Sequence, residues 1–134
     1  MESVPRQLAQ AIETFNQGFY FECHDILEAL WLEAPSAEKS FYQGLLHVAV
    51  GFYHLESLNY KGCISQLGKA EERLHSFGSY YRGVALKDLL KETRHIKALA
   101  EKELADNNSL PQFPAFPKMK WNAKEFENTE KELK

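Results

Sequence analysis

The stretch Phe41-Tyr-Gln-Gly-Leu-Leu-His-Val-Ala-Val-Gly-Phe-Tyr-His-Leu55 decides the fold. Wound at about 100° per residue, its Phe, Tyr, Leu, Val and Ala side chains cover nearly the whole circumference of a helix. A helix that is apolar all round belongs in the middle of a bundle. The spacing predicts it over about 37–58, with the Pro35-Ser36 break before it and Ser36 as its N-cap. Gly44 and Gly51 lie seven residues apart on one face. Each costs about 1 kcal/mol relative to alanine inside a helix, so their use here predicts the close approach of another helix.

Working outward, a first helix is expected from near Ser3, where Val4, Leu8, Ile12, Phe15 and Phe19 recur at three- and four-residue spacing. Asn16-Gln17-Gly18 stops it. A second helix follows over about 19–32, with Tyr20, Cys23, Leu27, Leu30 and Trp31 on one side. On the far side of the central helix, Asn59 opens a fourth with Tyr60, Ile64, Leu67, Leu74 and Phe77 inward, ended by Gly78. A fifth, about 84–106, carries Leu86, Leu89, Leu90, Thr93, Ile96, Leu99 and Leu104 against a solvated face of Lys, Glu and Arg. No segment alternates apolar and polar residues for long enough to argue a strand.

After Asn107-Asn108 the chain changes character. Pro111, Pro114 and Pro117 stand at every third position with Phe113 and Phe116 between them, a polyproline II spacing. Asn122-Ala-Lys-Glu125 has the form of a capping box for a last short helix anchored by Phe126 and Leu133. The expected architecture is therefore all-α: an antiparallel helical bundle of about five helices with a Pro/Phe-rich C-terminal strap and a short last helix. Residues 1–106 form the bundle, and 107–134 the strap and helix packing on it.

The 134 residues suffice for one domain with its own core, and 17 aromatic residues exclude a disordered chain. A net charge of −3 provides no electrostatic footprint for nucleic acid. No apolar run approaches the ~20 residues that span a bilayer, so no membrane partner is expected. Cys23 and Cys63 fall in apolar helical segments and read as buried free thiols of a cytoplasmic protein. The N-terminus lacks the pattern of a signal peptide.

Chemistry concentrates in Glu22-Cys-His-Asp-Ile-Leu-Glu-Ala-Leu-Trp31. His24 and Glu28 are one turn apart on one face, a spacing at which two donors can share a metal ion. Trp31 closes that stripe. Glu22 lies about 200° round the helix from His24 and cannot join the same ion. On the central helix, Gln43, His47 and His54 share a face with Gly44 and Gly51. If helices two and three are antiparallel neighbours, His47 comes level with His24, and His54 lies about 10.5 Å further along. The candidate donors for a divalent ion are thus His24, Glu28 and one of His47 or His54, with Glu22, Asp25, Trp31, Gln43 and Tyr53 lining the pocket. The alternative is a buried hydrogen-bonded pair, His24 with Glu28, whose role is structural. No HExxH, CxxC, P-loop, nucleophile-elbow or dinucleotide-binding pattern occurs, and no other cofactor is indicated. His75 and His95 read as surface residues.

The run Phe15-Asn-Gln-Gly-Phe-Tyr-Phe-Glu-Cys-His-Asp-Ile-Leu-Glu-Ala-Leu-Trp31, followed by Tyr42-Gln-Gly-Leu-Leu and His54-Leu-x-x-x-Asn59-Tyr-Lys-Gly62, resembles the bacterial and archaeal family called domain of unknown function 309. The resemblance implies a small all-helical protein in which a motif HxxxExxW, here His24, Glu28 and Trp31, is suspected of metal binding. Two positions depart from the family pattern, Asp25 for Glu and His47 for Gln. By resemblance, His54 rather than His47 is the family's histidine.

Three functions follow as expectations. One is a metal-binding helical protein whose ion activates water for hydrolysis. Another is a non-enzymatic interaction module that binds a protein partner or its own copy. Its warrants are the strap's Phe113 and Phe116 and the Asn16-x-Gly18 and Asn59-x-x-Gly62 turns, whose 43-residue spacing misses the tetratricopeptide period of about 34 residues. The third is a small-molecule pocket around Trp31, Tyr53 and His54.

Overall fold

The computed structural model describes residues 3–106, 113–122 and 124. Among them are five α-helices: α1 (Val4–Asn16), α2 (Tyr20–Glu33), α3 (Ser36–Glu56), α4 (Tyr60–Leu74) and α5 (Leu86–Asp106). Each packs chiefly on its neighbours in sequence, so α3 lies between α2 and α4 as its apolar circumference requires. Phe41, Leu45, Val48, Ala49 and Phe52 of α3 are fully buried with Phe15, Leu27, Leu67 and Leu74 from the helices around them. No helix among the described residues is long and apolar enough to cross a membrane.

The two glycines of α3 open the way for α4. A Cβ on Gly44 would stand 2.5 Å from Leu74 Cγ, and one on Gly51 would stand 2.7 Å from Leu67 Cδ2. Helix ends follow local chemistry: Ser3 caps α1 by accepting from the Arg6 N–H, and Gly18 takes φ 86° after it. The start of α3 differs by one residue from expectation. Pro35 occupies the N-cap position and Ser36 is already helical, because the fixed φ of proline suits the entry.

Between α4 and α5 the chain makes a 3-10 turn (His75–Phe77) and a two-stranded antiparallel hairpin, β1 (Tyr80–Tyr81) with β2 (Val84–Ala85). The sequence pattern predicts no strand and starts the fifth helix at about Val84. Two-residue strands are too short for any alternation to register. Their signal is the turn, where Arg82 (φ 49°) and Gly83 (φ 85°) both adopt the left-handed region that a tight hairpin needs.

The described part of the strap, residues 113–122, lies on the bundle. The Asn16 side-chain amide donates to the Met119 carbonyl at 2.9 Å, and its carbonyl accepts from the Met119 N–H at 2.7 Å. Phe116 meets Phe52 and Tyr20 with ring centroids 5.2 and 6.0 Å apart, while Phe113 stacks on Tyr60. Trp121 forms a bridge with Val84 and donates its indole N–H to the Arg82 carbonyl at 3.0 Å. Phe113 and Phe116 are thus half-buried against the bundle. The expected last helix, with Phe126 and Leu133, lies outside the described residues.

Candidate functional site

His24, Asp25 and Glu28 on α2 offer donor atoms that all lie within 4.8 Å of one another, the one group of three such residues among those described. The helix itself makes the cluster: Glu28 is one turn on from His24, and Asp25 is its neighbour. His24 Nε2 stands 3.5 Å from Glu28 Oε2, and Nδ1 stands 3.3 Å from Asp25 Oδ1. The His24 side chain is 27 % exposed, against 47 % for Glu28 and 62 % for Asp25. The imidazole is thus held against the protein, and the carboxylates reach solvent.

A neutral imidazole has one N–H and one lone pair. Here both ring nitrogens face a carboxylate oxygen, so one lone pair is necessarily aimed at negative charge. A positive charge at that nitrogen, a second proton or a metal ion, removes the conflict. If Nδ1–H donates to Asp25, the open nitrogen is Nε2, opposite Glu28. Two ligands about 2.1 Å from a tetrahedral ion lie about 3.4 Å apart, and the Nε2–Oε2 separation matches. Asp25 then serves as the outer carboxylate that fixes the tautomer and the ring plane. The pair His24 and Glu28 fits an ion, and Asp25 fits the supporting position.

His24 also walls a small apolar cleft of about 160 Å³ with Tyr20, Phe21, Val50, Tyr53 and His54. Phe21 and Tyr53 are both exposed, with ring centroids 5.8 Å apart. His54 therefore comes to the same cleft as His24, although it stands outside the three-residue donor group. Its tautomer follows from its neighbours. Asn59 Oδ1 accepts the Gly62 N–H at 2.9 Å, which turns Asn59 Nδ2 toward His54 Nδ1 at 3.3 Å. An amide NH₂ only donates, so Nδ1 accepts and neutral His54 carries its proton on Nε2. It offers the cleft a donor rather than a metal-binding lone pair. A Cβ on Gly62 would lie 2.8 Å from His54 Cγ and Cδ2, so the ring needs that glycine. The block His54-x-x-x-x-Asn59-x-x-Gly62 is in this sense one structural unit, which also caps α4.

Other expected members go elsewhere. His47 belongs to the α3–α4 seam, with Nδ1 2.7 Å from Gln66 Oε1. Burial lowers its pKa below the usual histidine value, Lys69 and Arg73 lower it further, and the Gln66 bond works in the other direction. Glu22 is exposed on α2 and faces Glu56, whose carboxyl burial and this like charge push up. Gln43 and Trp31 are half-buried and lie outside the cleft, Trp31 packing on the core while its carbonyl accepts from Lys39 Nζ at 2.9 Å. The sequence reading did not include Tyr20 and Phe21 in the cleft, nor the buried ion pair between Glu38 and Arg82. Phe21 adjoins the donor residues in sequence and could have been found from an exposed aromatic on that face. Nothing local marks Glu38, because its partner is 44 residues away.

Residues 8–65 match the model of a domain of unknown function (DUF309), and the three blocks quoted above that carry the resemblance fall inside that match. Over 44 residues the chain is 43% identical to "Uncharacterized protein YpuF" of Bacillus subtilis (strain 168). That alignment takes in 32% of this chain and 25% of the relative, so the chain spans about a quarter of the length of the curated relative it matches.

Proposed function

We propose that this DUF309 region binds a divalent metal ion between His24 Nε2 and Glu28, with Asp25 as the carboxylate that orients the imidazole. The observation that carries the reading is the placement of a carboxylate oxygen at each nitrogen of one imidazole, 3.3 and 3.5 Å away. A nitrogen–oxygen donor pair suits zinc, manganese or iron rather than a soft thiolate-seeking ion. Such an ion supplies Lewis acidity and a coordinated water of lowered pKa, the chemistry of hydrolysis. The protein's own part is to hold the two donors at ion-sharing distance, to present an N–H from His54 at the rim of the adjoining cleft, and to wall that cleft with Tyr20, Phe21, Val50 and Tyr53.

Elemental analysis of untagged protein, together with calorimetric titration of Zn²⁺ and Mn²⁺, tests this. One ion per chain is expected, lost in His24→Ala and in Glu28→Ala. Asp25→Asn weakens binding about 10-fold, as loss of an outer carboxylate does. Equal titration curves for wild-type protein and His24→Ala would refute the site. His47→Ala leaves the titration unchanged, since His47 faces α4.

A further inference from the structure

The α3–α4 seam carries a second polar concavity that shares no lining residue with the His24 cleft. It is an open groove of about 620 Å³, with Ser40 and His47 from α3, Lys69, Glu72 and Arg73 from α4, and Ser76 from the 3-10 turn. Lys69 and Arg73 are four residues apart and project from one face of α4. Three exposed cations elsewhere pair with carboxylates, Arg94 with Glu71 at 2.6 Å, Lys120 with Asp88 at 3.5 Å, and Lys97 with Glu101 at 3.8 Å. Among the described residues neither Lys69 nor Arg73 does so, and Glu72 is the one acid at the groove.

We propose that this groove binds the phosphate group of a small phosphorylated molecule, with Lys69 and Arg73 supplying charge and Ser40 and Ser76 supplying hydroxyl donors. A guanidinium, an ammonium and two hydroxyls are the groups that recognise a phosphate through charge-assisted hydrogen bonds. His47 already senses the two cations, which add to burial in disfavouring its charged form. Its Nδ1–H donates to Gln66 Oε1, so the neutral ring presents an Nε2 lone pair, and His47 becomes a donor only when the charge of a bound anion draws a second proton onto Nε2. The groove is larger than a lone phosphate and leaves room for an organic moiety. A nucleic acid is disfavoured, because the chain carries a net charge of −3 and repels a polyanion away from these residues.

The test uses metal-free protein and two probes, inorganic phosphate and phenyl phosphate, followed by the NMR shifts of the histidine rings. His47 is expected to move saturably while His24 stays fixed, and phenyl phosphate to bind more tightly than phosphate. Lys69→Ala and Arg73→Ala each weaken binding about 3–10-fold, allowing for the exposure of both groups. Glu72→Gln tightens it about 2–5-fold, a gain that damaged folding cannot produce. His24→Ala binds as wild type, so this result and that of the metal titration are independent. No movement of His47 at about 10 mM probe, a level where a few charge-assisted bonds give measurable occupancy, overturns the proposal. So does preferential binding of a single-stranded oligonucleotide through Lys69 and Arg73, which would assign the groove to nucleic acid.

Discussion

Replacing Arg82 with methionine while leaving Glu38 in place isolates the buried ion pair. Arg82 Nε and Nη2 donate to Glu38 Oε1 and Oε2 at 2.6 and 2.8 Å, a two-pronged contact between side chains that are only 8 % and 7 % exposed. The Tyr81 side chain also bonds to the Glu38 carboxylate. The pair ties the first turn of α3 to the turn of the hairpin, and the Arg82 carbonyl in turn holds the indole of Trp121. Arg82→Met leaves a carboxylate stranded in a site with little access to water, which costs about 3–5 kcal/mol. With a urea slope of about 1.5–2 kcal/mol/M, the unfolding midpoint falls by about 2 M. Glu38→Leu combined with Arg82→Met removes both charges. Methionine keeps much of the arginine stem, so the double variant should recover to within about 1–2 kcal/mol of wild type. The assay is urea denaturation followed by circular dichroism for all four members of the cycle. A midpoint change below about 0.5 M for Arg82→Met, or a double variant as unstable as the sum of the singles, refutes the reasoning.

Two further tests bear on packing and on buried thiols. Gly44→Ala should destabilise by about 1–2 kcal/mol, since overpacking against Leu74 outweighs the helix-propensity gain of about 1 kcal/mol. Gly68→Ala, whose nearest atom would be the flexible Lys97 Cε at 3.6 Å, should instead stabilise by up to about 1 kcal/mol, and thermal melts of the two should move in opposite directions. Burial pushes the Cys23 thiol from 9.0 up to about 12 and Cys63 up to about 11. The folded chain keeps these protons after the unfolded chain has released them, so stability falls as pH rises above about 9. At pH 8 neither thiol should react with a disulfide reagent until urea unfolds the protein, and prompt labelling would show that the core is open.

The helices were legible because each is written within its own segment as an apolar face at helical period, with Ser3 and Asn59 also capping the starts of α1 and α4 and Gly18 following α1. His24 with Glu28 was legible for the same reason, as a contact inside one helix. The Glu38–Arg82 pair and the hold of Asn16 on Met119 were not, since they join residues 44 and 103 positions apart that only the packed chain brings together.

The histidines of α3 show where local reading fails and where it could have gone further. Helical spacing puts Gln43, His47 and His54 on one face with Gly44 and Gly51, and the antiparallel neighbour expected from the Pro35-Ser36 break turns that face to α2. The same residues contain the evidence for α4. Glycines at 44 and 51 are needed only where a helix comes close, and the close helix is α4, whose Leu74 and Leu67 would meet their Cβ atoms. His47, three residues after Gly44 and four before Gly51, must therefore turn toward α4, and it does so onto Gln66. His54 lies on the continuation of that face and meets Asn59 and Gly62 at the beginning of α4. It reaches the His24 cleft by standing at the margin of the helix, where the α4 side borders the α2 side. The rotation of α3 about its axis is set by which neighbour the small residues admit, and that rotation sends one histidine to a candidate phosphate groove and the other to the cleft beside a candidate metal centre.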